Sequence, residues 1–184
     1  MRGIAFTLQP DNLIMSMKHI YKILFLLILP LSLLAQDTTV VKQQANVLAQ
    51  ALAKGDYKTL IDHTYPRIAE MMGGKDKMLA LVDTSMAKLK SQGITVENAG
   101  IGSPGKFYKA GTEIHCLVPQ TLRLKLPNGH ATAHSYLLAI SSDGGKNWSF
   151  VDLNKDTISA IPQIFPNFNP DLKIPDPTPP VMEP

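Results

Sequence analysis

The sequence predicts a single α+β domain in which the helices come first and the strands follow. Three helical patterns occupy residues 38 to 93, and patterns of period two, separated by turn residues, occupy residues 94 to 153. Helices followed by a run of strands are typical of the α+β class. Residues 36 to 160 are long enough for one domain with its own core.

Each helix is predicted from its spacing and its end signals. Asp37 and Thr38 are caps for a first helix that ends at Gly55, and Asp56 caps a short second helix to about His63. Pro66 then interrupts the chain, and a third helix runs between Gly73–Gly74 and Gly93. The faces expected to be buried are Val41, Ala45, Leu48 and Leu52 in the first helix and Leu79, Val82, Met86 and Leu89 in the third.

The strands are predicted by alternation. Residues 94–99 and 112–118 alternate, with a turn at 102–105 between them. Pro119–Gln120 is expected to form a bulge or a corner, because proline cannot donate to a ladder. Leucines at every second position continue the pattern from 122 to 126. Asn128–Gly129 predicts a two-residue hairpin turn, which would place Arg123 directly opposite His134.

This register brings candidate ligand-binding residues together on the polar face of the hairpin. Arg123 and His134 would share that face with Tyr136, and His115 and Glu113 would join them if the bulge at Pro119 inverts the alternation. If the face lines a pocket, its two donors suit a carboxylate or another anionic group on an apolar ligand. A solvated outer face would have the same composition.

The C-terminal residues 161–184 predict an extended, proline-rich strap. Eight of the 14 prolines lie from Pro162 onward. Proline disfavours a helix there, and the interleaved apolar side chains Ile164, Phe165, Phe168, Leu172 and Ile174 imply that the strap docks on the domain. Beyond Asp176 little remains to bury, and we expect disorder.

The N-terminus, residues 1–35, has the composition of a secretory signal peptide. Lys18 and Lys22 precede a short apolar run from Ile23 to Ala35, and a small residue stands before the polar Gln36. The run is too short for a bilayer-spanning helix, which needs about 20 residues. We predict cleavage after Ala35, translation from Met17 with a tolerated N-terminal extension as the alternative, and a periplasmic or extracellular protein with no stable membrane anchor.

Charge argues against a nucleic-acid partner. The whole chain has 18 Lys and Arg against 15 Asp and Glu, but residues 36 to 184 have 15 against 14. A phosphate-binding surface needs clustered Lys and Arg, and a nearly neutral domain does not favour one. Cys116 is the single cysteine, so no intramolecular disulfide can form, and its strand spacing predicts a buried core residue.

Two motifs that could indicate cofactors fail in their context. Gly100 to Gly105 fit the pattern G-x-G-x-x-G, but a strand-like segment follows where dinucleotide binding needs a helix N-terminus. His130 and His134 have the spacing of a helical metal pair. On a strand, four residues span about 13 Å, too far for two ligands of one zinc ion. No cofactor and no metal site are predicted, and no catalytic residue is assigned.

The segment Ser141-x-Asp143-x-Gly145-x-x-Trp148 resembles the Asp-box of sialidase-like propellers. In that motif the Asp carboxylate caps turn amides and the Trp packs beneath the hairpin. A propeller needs several copies at regular spacing, and this chain has one. The motif therefore predicts a stabilised hairpin and does not indicate sugar hydrolysis.

The helical opening resembles the NTF2-like domains, which include the SnoaL-like cyclases and ketosteroid isomerase. The similarity lies in the segment from Leu48 to Tyr57, with its Gly55–Asp56 break, followed by Leu60 and Pro66. It implies three helices packed on a curved antiparallel sheet, with a cone-shaped pocket between them. No catalytic residue of those isomerases can be matched to a position here.

Three functions are compatible with these observations. The first is a non-catalytic module that binds a small molecule or a peptide in the cell envelope. The second is a pocket enzyme that performs acid–base chemistry on a small apolar substrate, and the third is a structural envelope subunit. An apolar pocket would favour the binding module, and buried ionisable groups with a shifted pKa would favour the enzyme.

Overall fold

A computed structural model describes residues 38 to 184, and within them the α+β class is confirmed. The predicted signal peptide and its cleavage site lie outside the described residues. The elements, in chain order, are α1 (Thr38–Lys54), α2 (Tyr57–Asp62), α3 (Pro66–Met71), α4 (Lys75–Ser91), β1 (Thr95–Ile101), β2 (Tyr108–Ala110), β3 (Glu113–Leu126), β4 (Gly129–Ser141), β5 (Ser149–Asp152), α5 (Lys155–Ile164) and β6 (Val181–Glu183).

The strands form an open six-stranded antiparallel sheet centred on the long β3–β4 hairpin. The order is β1-β3-β4-β5, with β2 also paired to β3 and β6 also paired to β4. The 63–65 segment after α2 extends the sheet beyond β5, because Phe150 N donates to His63 O at 2.8 Å and Tyr65 N donates to Phe150 O at 3.0 Å. The helical layer is thereby attached to the edge of the sheet.

The hairpin register differs from the prediction by two residues. Leu126 pairs with Gly129, so the turn is Pro127–Asn128, Arg123 faces Thr132, and the predicted pairing of Arg123 with His134 is wrong. A turn at Asn128–Gly129 needs positive φ at both residues, yet no non-glycine residue in the described chain has one. Proline at the first central position has a fixed negative φ, which suits the earlier turn. A two-residue shift leaves the composition of each face unchanged.

The bulge predicted at Pro119 is also wrong. Pairing continues without interruption through Pro119 and Tyr136, and the irregularity of the sheet lies between Val96 and Asn98 in β1. The N and O atoms of a strand residue point to the same side, and Pro119 O accepts from Gly102 N at 2.8 Å, beyond the end of β1. The nitrogen of Pro119, which has no hydrogen to donate, therefore faces the loop after β1 and not β4. Glu113 and His115 lie on the same face as Arg123 without any inversion.

Each face of the sheet has its own core. One face, which we call the helix face, contacts α1 through the buried residues Cys116, Val118, Leu137, Ala139 and Phe150. The other, which we call the tail face, is covered by α5 and the residues after it through Leu138, Ile140, Ile161, Ile164, Phe165 and Leu172. Both faces of β4 are buried near β5, and this explains the unbroken apolar run there.

The helices follow the predicted signals with two differences. Val41, Ala45 and Leu48 of α1 are buried as predicted, and Asp56 Oδ1 caps α2 by accepting from Thr59 N at 3.1 Å. Pro66 begins an additional short helix, α3, because proline is well tolerated at the first helical position. In α4 no residue is buried, so its predicted apolar face is only partly covered.

The C-terminal residues contain more regular structure than the prolines suggest. Helix α5 extends to Ile164 with Pro162 inside it, since a proline near the end of a helix removes a single intrahelical bond. The disorder predicted beyond Asp176 is wrong for β6, which pairs with residues 130–132 of β4. Glu183 accepts from Thr132 Oγ1 at 2.8 Å. No helix in residues 38 to 184 is long and apolar enough to cross a membrane.

The loop between β4 and β5 makes the hydrogen bonds that its Asp-box-like sequence predicts. Asp143 Oδ1 accepts from Lys146 N at 3.1 Å and Asn147 N at 3.0 Å. These amides, with the Asn147 side chain, lower the pKa of Asp143 to about 2. Trp148 is buried, and its Nε1 donates to Gly145 O at 2.9 Å. The motif stabilises a single loop here.

Candidate functional site

The five residues predicted to bind a ligand do not form one site. Arg123 lies at an exposed end of the sheet, where its guanidinium pairs with Glu97 at 3.0 Å and Glu183 at 3.1 Å. His115 is eight residues away along the same strand, roughly 26 Å at the usual rise. The ionic partners of Arg123 are already in place, and this does not favour it as a receptor for an anionic ligand.

The remaining predicted residues separate into two groups on the tail face. His134 bonds Thr121 through Nδ1 at 3.1 Å near the hairpin end, and Tyr136 packs against the core formed with the C-terminal residues. Glu113 and His115 are brought together at the opposite end, where His115 Nε2 lies 3.0 Å from Glu113 Oε2. None of the five lines the apolar cavity between the helices and the sheet, which is described below.

Glu113 is shared between two neighbouring side chains. Tyr65 donates its hydroxyl to Glu113 Oε1 at 2.9 Å, and burial, followed by this bond, raises the pKa of Tyr65 to about 12. The His115 ring is buried and lies edge-on to Phe165, with centroids 5.2 Å apart. The cluster links α3, β3 and the chain after α5. We interpret it as a structural cross-link beside a small cavity of about 220 Å³.

A larger apolar cavity of about 380 Å³ lies between the helices and the helix face of the sheet. Each of the first four helices contributes to its wall, and the sheet and the start of α5 complete it. The lining residues are Leu48, Leu52, Leu60, Thr64, Ile68, Met78, Gln120, Leu122, Leu137, Phe150, Val151, Asp152, Asn154 and Thr157. Cavities of this size, apolar with a few polar groups, are typical of small-molecule sites.

Two polar side chains of this cavity lie near Ser135 on the helix face. Gln120 pairs with Ser135 across β3 and β4, and Asp152 pairs with Leu137 across β4 and β5, so the three side chains share that face. Gln120 Nε2 donates to Ser135 Oγ at 3.3 Å. The nearby Ser135 side chain acts against the rise in the pKa of the Asp152 carboxyl that burial causes.

The hydrogen bond to Ser135 determines the orientation of the Gln120 amide. Because Gln120 Nε2 donates to Ser135 Oγ, Gln120 Oε1 faces away from the serine. Gln120 Oε1 is buried and has no hydrogen-bond partner among the described residues. A buried amide oxygen without a partner is costly, and a bound donor would remove that cost.

Asp152 is the acidic residue of the cavity wall. Burial by its neighbours raises the pKa of the Asp152 carboxyl, and the nearby Ser135 side chain opposes this effect. The residue is exposed to solvent, so water screens part of this effect. Among the described residues that line the cavity, none is a lysine, an arginine or a histidine. The carboxylate has no cation within this wall.

Sequence reasoning missed both Gln120 and Asp152. Gln120 interrupts a series of apolar residues at every second position, Cys116, Val118 and Leu122, and a polar residue on a core face was the available signal. Asp152 had no such signal, because a strand that ends in a polar residue is ordinary. Its place in the cavity depends on the pairing of β5 with β4.

Neither metal nor thiol chemistry is supported by the described residues. They contain no group of three or more His, Cys, Asp or Glu side chains that could hold a metal ion. Cys116 is buried, as predicted, and burial raises the pKa of its thiol to about 12. A thiol with so high a pKa is a poor nucleophile.

The fold and the site together define an α+β protein with an apolar cavity between its helices and an open antiparallel sheet. No family model, no curated protein and no solved structure matches this chain.

Proposed function

We propose that this protein is an exported, non-catalytic binding module that holds a small, mainly apolar molecule in the cavity on the helix face. The observation that carries the proposal is the 380 Å³ cavity with apolar walls and the buried, half-satisfied amide of Gln120. The volume of the cavity and its position between helices and sheet suit a small molecule better than a peptide.

The NTF2-like resemblance is part of this proposal. A helical layer over an antiparallel sheet with a cavity between them is compatible with the cone of that superfamily, and the residues after α5 would act as a strap over the tail face. The N-terminal signal supports a location in the periplasm or outside the cell. The nearly neutral charge of residues 36 to 184 supports a partner other than nucleic acid.

Asp152 favours a second candidate, a pocket enzyme that uses acid–base chemistry. A carboxyl with a raised pKa in an apolar cavity is a common general acid or base. Against this, the other polar groups of the wall are amides and hydroxyls, and Asn154 Oδ1 is already occupied as the cap of α5, 2.9 Å from Thr157 N. A binding role needs no second reactive group, so we place it first.

The test is a titration of residues 36–184 with the apolar fluorophore N-phenylnaphthylamine, followed by its fluorescence. We expect saturable binding that is lost in Leu122→Trp, because the larger ring fills the cavity. The matched control is Thr121→Trp, whose side chain is on the tail face of the same strand. Equal binding by both variants, or no saturable binding by the wild type, would contradict the proposal.

A further inference from the structure

We propose that the edge of β4 beside the hairpin end of the sheet is a peptide-binding site, which takes an extended segment of a partner protein that carries an acidic residue. In this structure the chain's own C-terminal strand, β6, occupies the site. The inference does not depend on the proposed function, because this edge lies outside the cavity on the helix face.

The first argument is the direction of the backbone groups along β4. In an antiparallel ladder, successive residues point their N–H and C=O groups to opposite neighbours. Tyr136 O accepts from Leu153 N at 2.9 Å, on the side away from β3. By the period of two, His134, Thr132 and His130 point to the same side. The pairing with β6 ends at Thr132, so His134 has no strand partner on this side among the described residues.

The gap at His134 has its cause in the sequence of the C-terminal tail. The register of β6, continued by two residues, places Pro179 opposite His134. Proline has no N–H to donate to a ladder. Residues 134–136 and residues 175–178 line a cavity of about 190 Å³, so the tail does not pack closely on the edge there. The tail is therefore an incomplete partner, and a segment without proline at that position can add a hydrogen bond.

The second argument is that the side chains of β6 contribute little to its attachment. Val181 is 58% exposed and Met182 is 67% exposed. Residues 175–180, which lead to β6, are exposed as well. The backbone pairs and the Glu183 side chain are the contacts that remain. A segment with few buried contacts opens at a low cost in free energy, and a competing strand can then replace it.

The third argument is the charge of the surface beside Glu183. The Glu183 carboxylate accepts from Thr132 Oγ1 at 2.8 Å and pairs with Arg123 at 3.1 Å. Glu97 also pairs with Arg123, at 3.0 Å, which keeps the guanidinium in position when the tail leaves. Lys125 is exposed two residues further along the same face of β3. Without Glu183, this surface has two cations for one anion, which suits an acidic residue on an incoming strand.

An added strand combines these requirements. Its backbone would pair with the edge of β4 from His130 to His134, since an unpaired edge is a template for another chain. One acidic side chain would take the place of Glu183, whose carboxylate now fills the anionic position beside Arg123. Large apolar side chains are not required, because Val181 and Met182 contribute none of their own to a core.

The experiment first opens the edge in residues 36–184. Val181→Pro removes the N–H that faces Thr132, and it should release β6. The matched control is Met182→Pro, because alternation points the N–H of Met182 away from β4. Glu183→Lys places a cation beside Arg123 and opens the edge in a second way, which keeps the test decisive if the first variant does not fold.

The probe is a synthetic peptide of residues 177–184 with the change Pro179→Thr, followed by the amide chemical shifts of residues 130–134 in isotope-labelled protein. A short tethered tail has an effective concentration of roughly 1 mM, so we expect dissociation constants in that range. Because β6 still covers the edge in the wild type and in Met182→Pro, both should bind the peptide about fivefold more weakly than Val181→Pro does.

Two further peptides test the features that the edge recognises. The natural sequence of residues 177–184 should bind Val181→Pro about fivefold more weakly than the Pro179→Thr peptide, because it lacks one ladder hydrogen bond. A peptide that also carries Glu183→Lys should show no measurable binding, because its cation faces Arg123.

Four results would overturn the proposal. Equal binding by the wild type and Val181→Pro would show that β6 does not occupy the site. No binding by either Val181→Pro or Glu183→Lys would show that the edge accepts no strand. Equal binding of the acidic and the lysine-containing peptides would remove the role of Arg123. A wild-type dimer in sedimentation that Val181→Pro abolishes would assign the edge to the tail of a second copy.

Discussion

Gln44 in helix α1 accepts a hydrogen bond from the backbone N–H of Trp148 at 2.7 Å, although 104 residues separate them in the chain. The same side-chain amide donates to Lys146 O at 3.1 Å. Gln44 thus pairs with the loop before β5 much as a short strand would. It attaches the first helix to the loop that positions Trp148 over the core.

We expect Gln44→Ala to lower the free energy of unfolding by about 1–2 kcal/mol, because the amide of Trp148 is left without its partner. Urea unfolding followed by Trp148 fluorescence measures the change. The control is Gln43→Ala, on the exposed side of the same helix. A loss of similar size in both variants would show that the effect is helical propensity and not the bond to the loop.

The raised pKa of Asp152 leads to a prediction on pH and stability. The folded-state pKa lies above the ordinary value of 3.8, so the protonated Asp152 side chain favours the folded state. This contribution to stability is fully present below pH 3.8 and is lost as the pH rises through the folded-state pKa. We therefore expect Asp152→Asn to be more stable than the wild type at about pH 7, with the difference disappearing near pH 3.

Thermal melts of both proteins across this range measure the difference. Asp83→Asn, on the exposed surface of α4, controls for the change in net charge. A stability difference that is the same at both ends of the range would contradict a raised pKa.

Two parts of the C-terminal residues should contribute unequally to the free energy of unfolding. Ending the chain at Ala160 removes four buried side chains, Ile161, Ile164, Phe165 and Leu172, each worth roughly 1.5–3 kcal/mol of burial. We expect this truncation to abolish cooperative unfolding. Ending it after Asp176 removes β6, whose Val181 and Met182 are exposed, and should lower stability by about 1 kcal/mol.

Urea denaturation of the two truncated chains and the full chain tests this pair of predictions. Equal stability of the full chain and the chain ending at Ala160 would show that the tail-face core does not form.

Tyr65→Phe tests the cross-link through Glu113. The change removes the 2.9 Å bond to Glu113 and keeps the ring contact with Phe165, whose centroid lies 5.0 Å away. We expect a loss of about 1–2 kcal/mol, since the carboxylate keeps only His115 as a donor in this cluster. Chemical denaturation provides the measurement, and Tyr57→Phe, outside the cluster, is the control. A change no larger than that of the control would mean that the bond adds no net stability.

Prediction from the sequence was accurate where residues within one short segment determine the local structure. The burial of Val41, Ala45 and Leu48 follows from helical spacing, the start of α2 from the cap at Asp56, and the loop at Asp143 from its own turn amides. It failed at the hairpin, where Pro127 and Gly129 each favour a different turn and the choice decides the pairing of a whole strand.

By itself, the sequence determined the α+β class, the faces of the strands and the burial of Cys116, because periodicity and caps act over a few residues. Only the tertiary structure decided where a ligand could bind. Gln120, Ser135 and Asp152 come from three strands, and only Gln120 is marked in its own segment, as a polar residue on a core face. Their proximity depends on the β3–β4 and β4–β5 registers together, and the cavity depends on helices packed across them. Such a site is a property of contacts between distant residues, which no local pattern records.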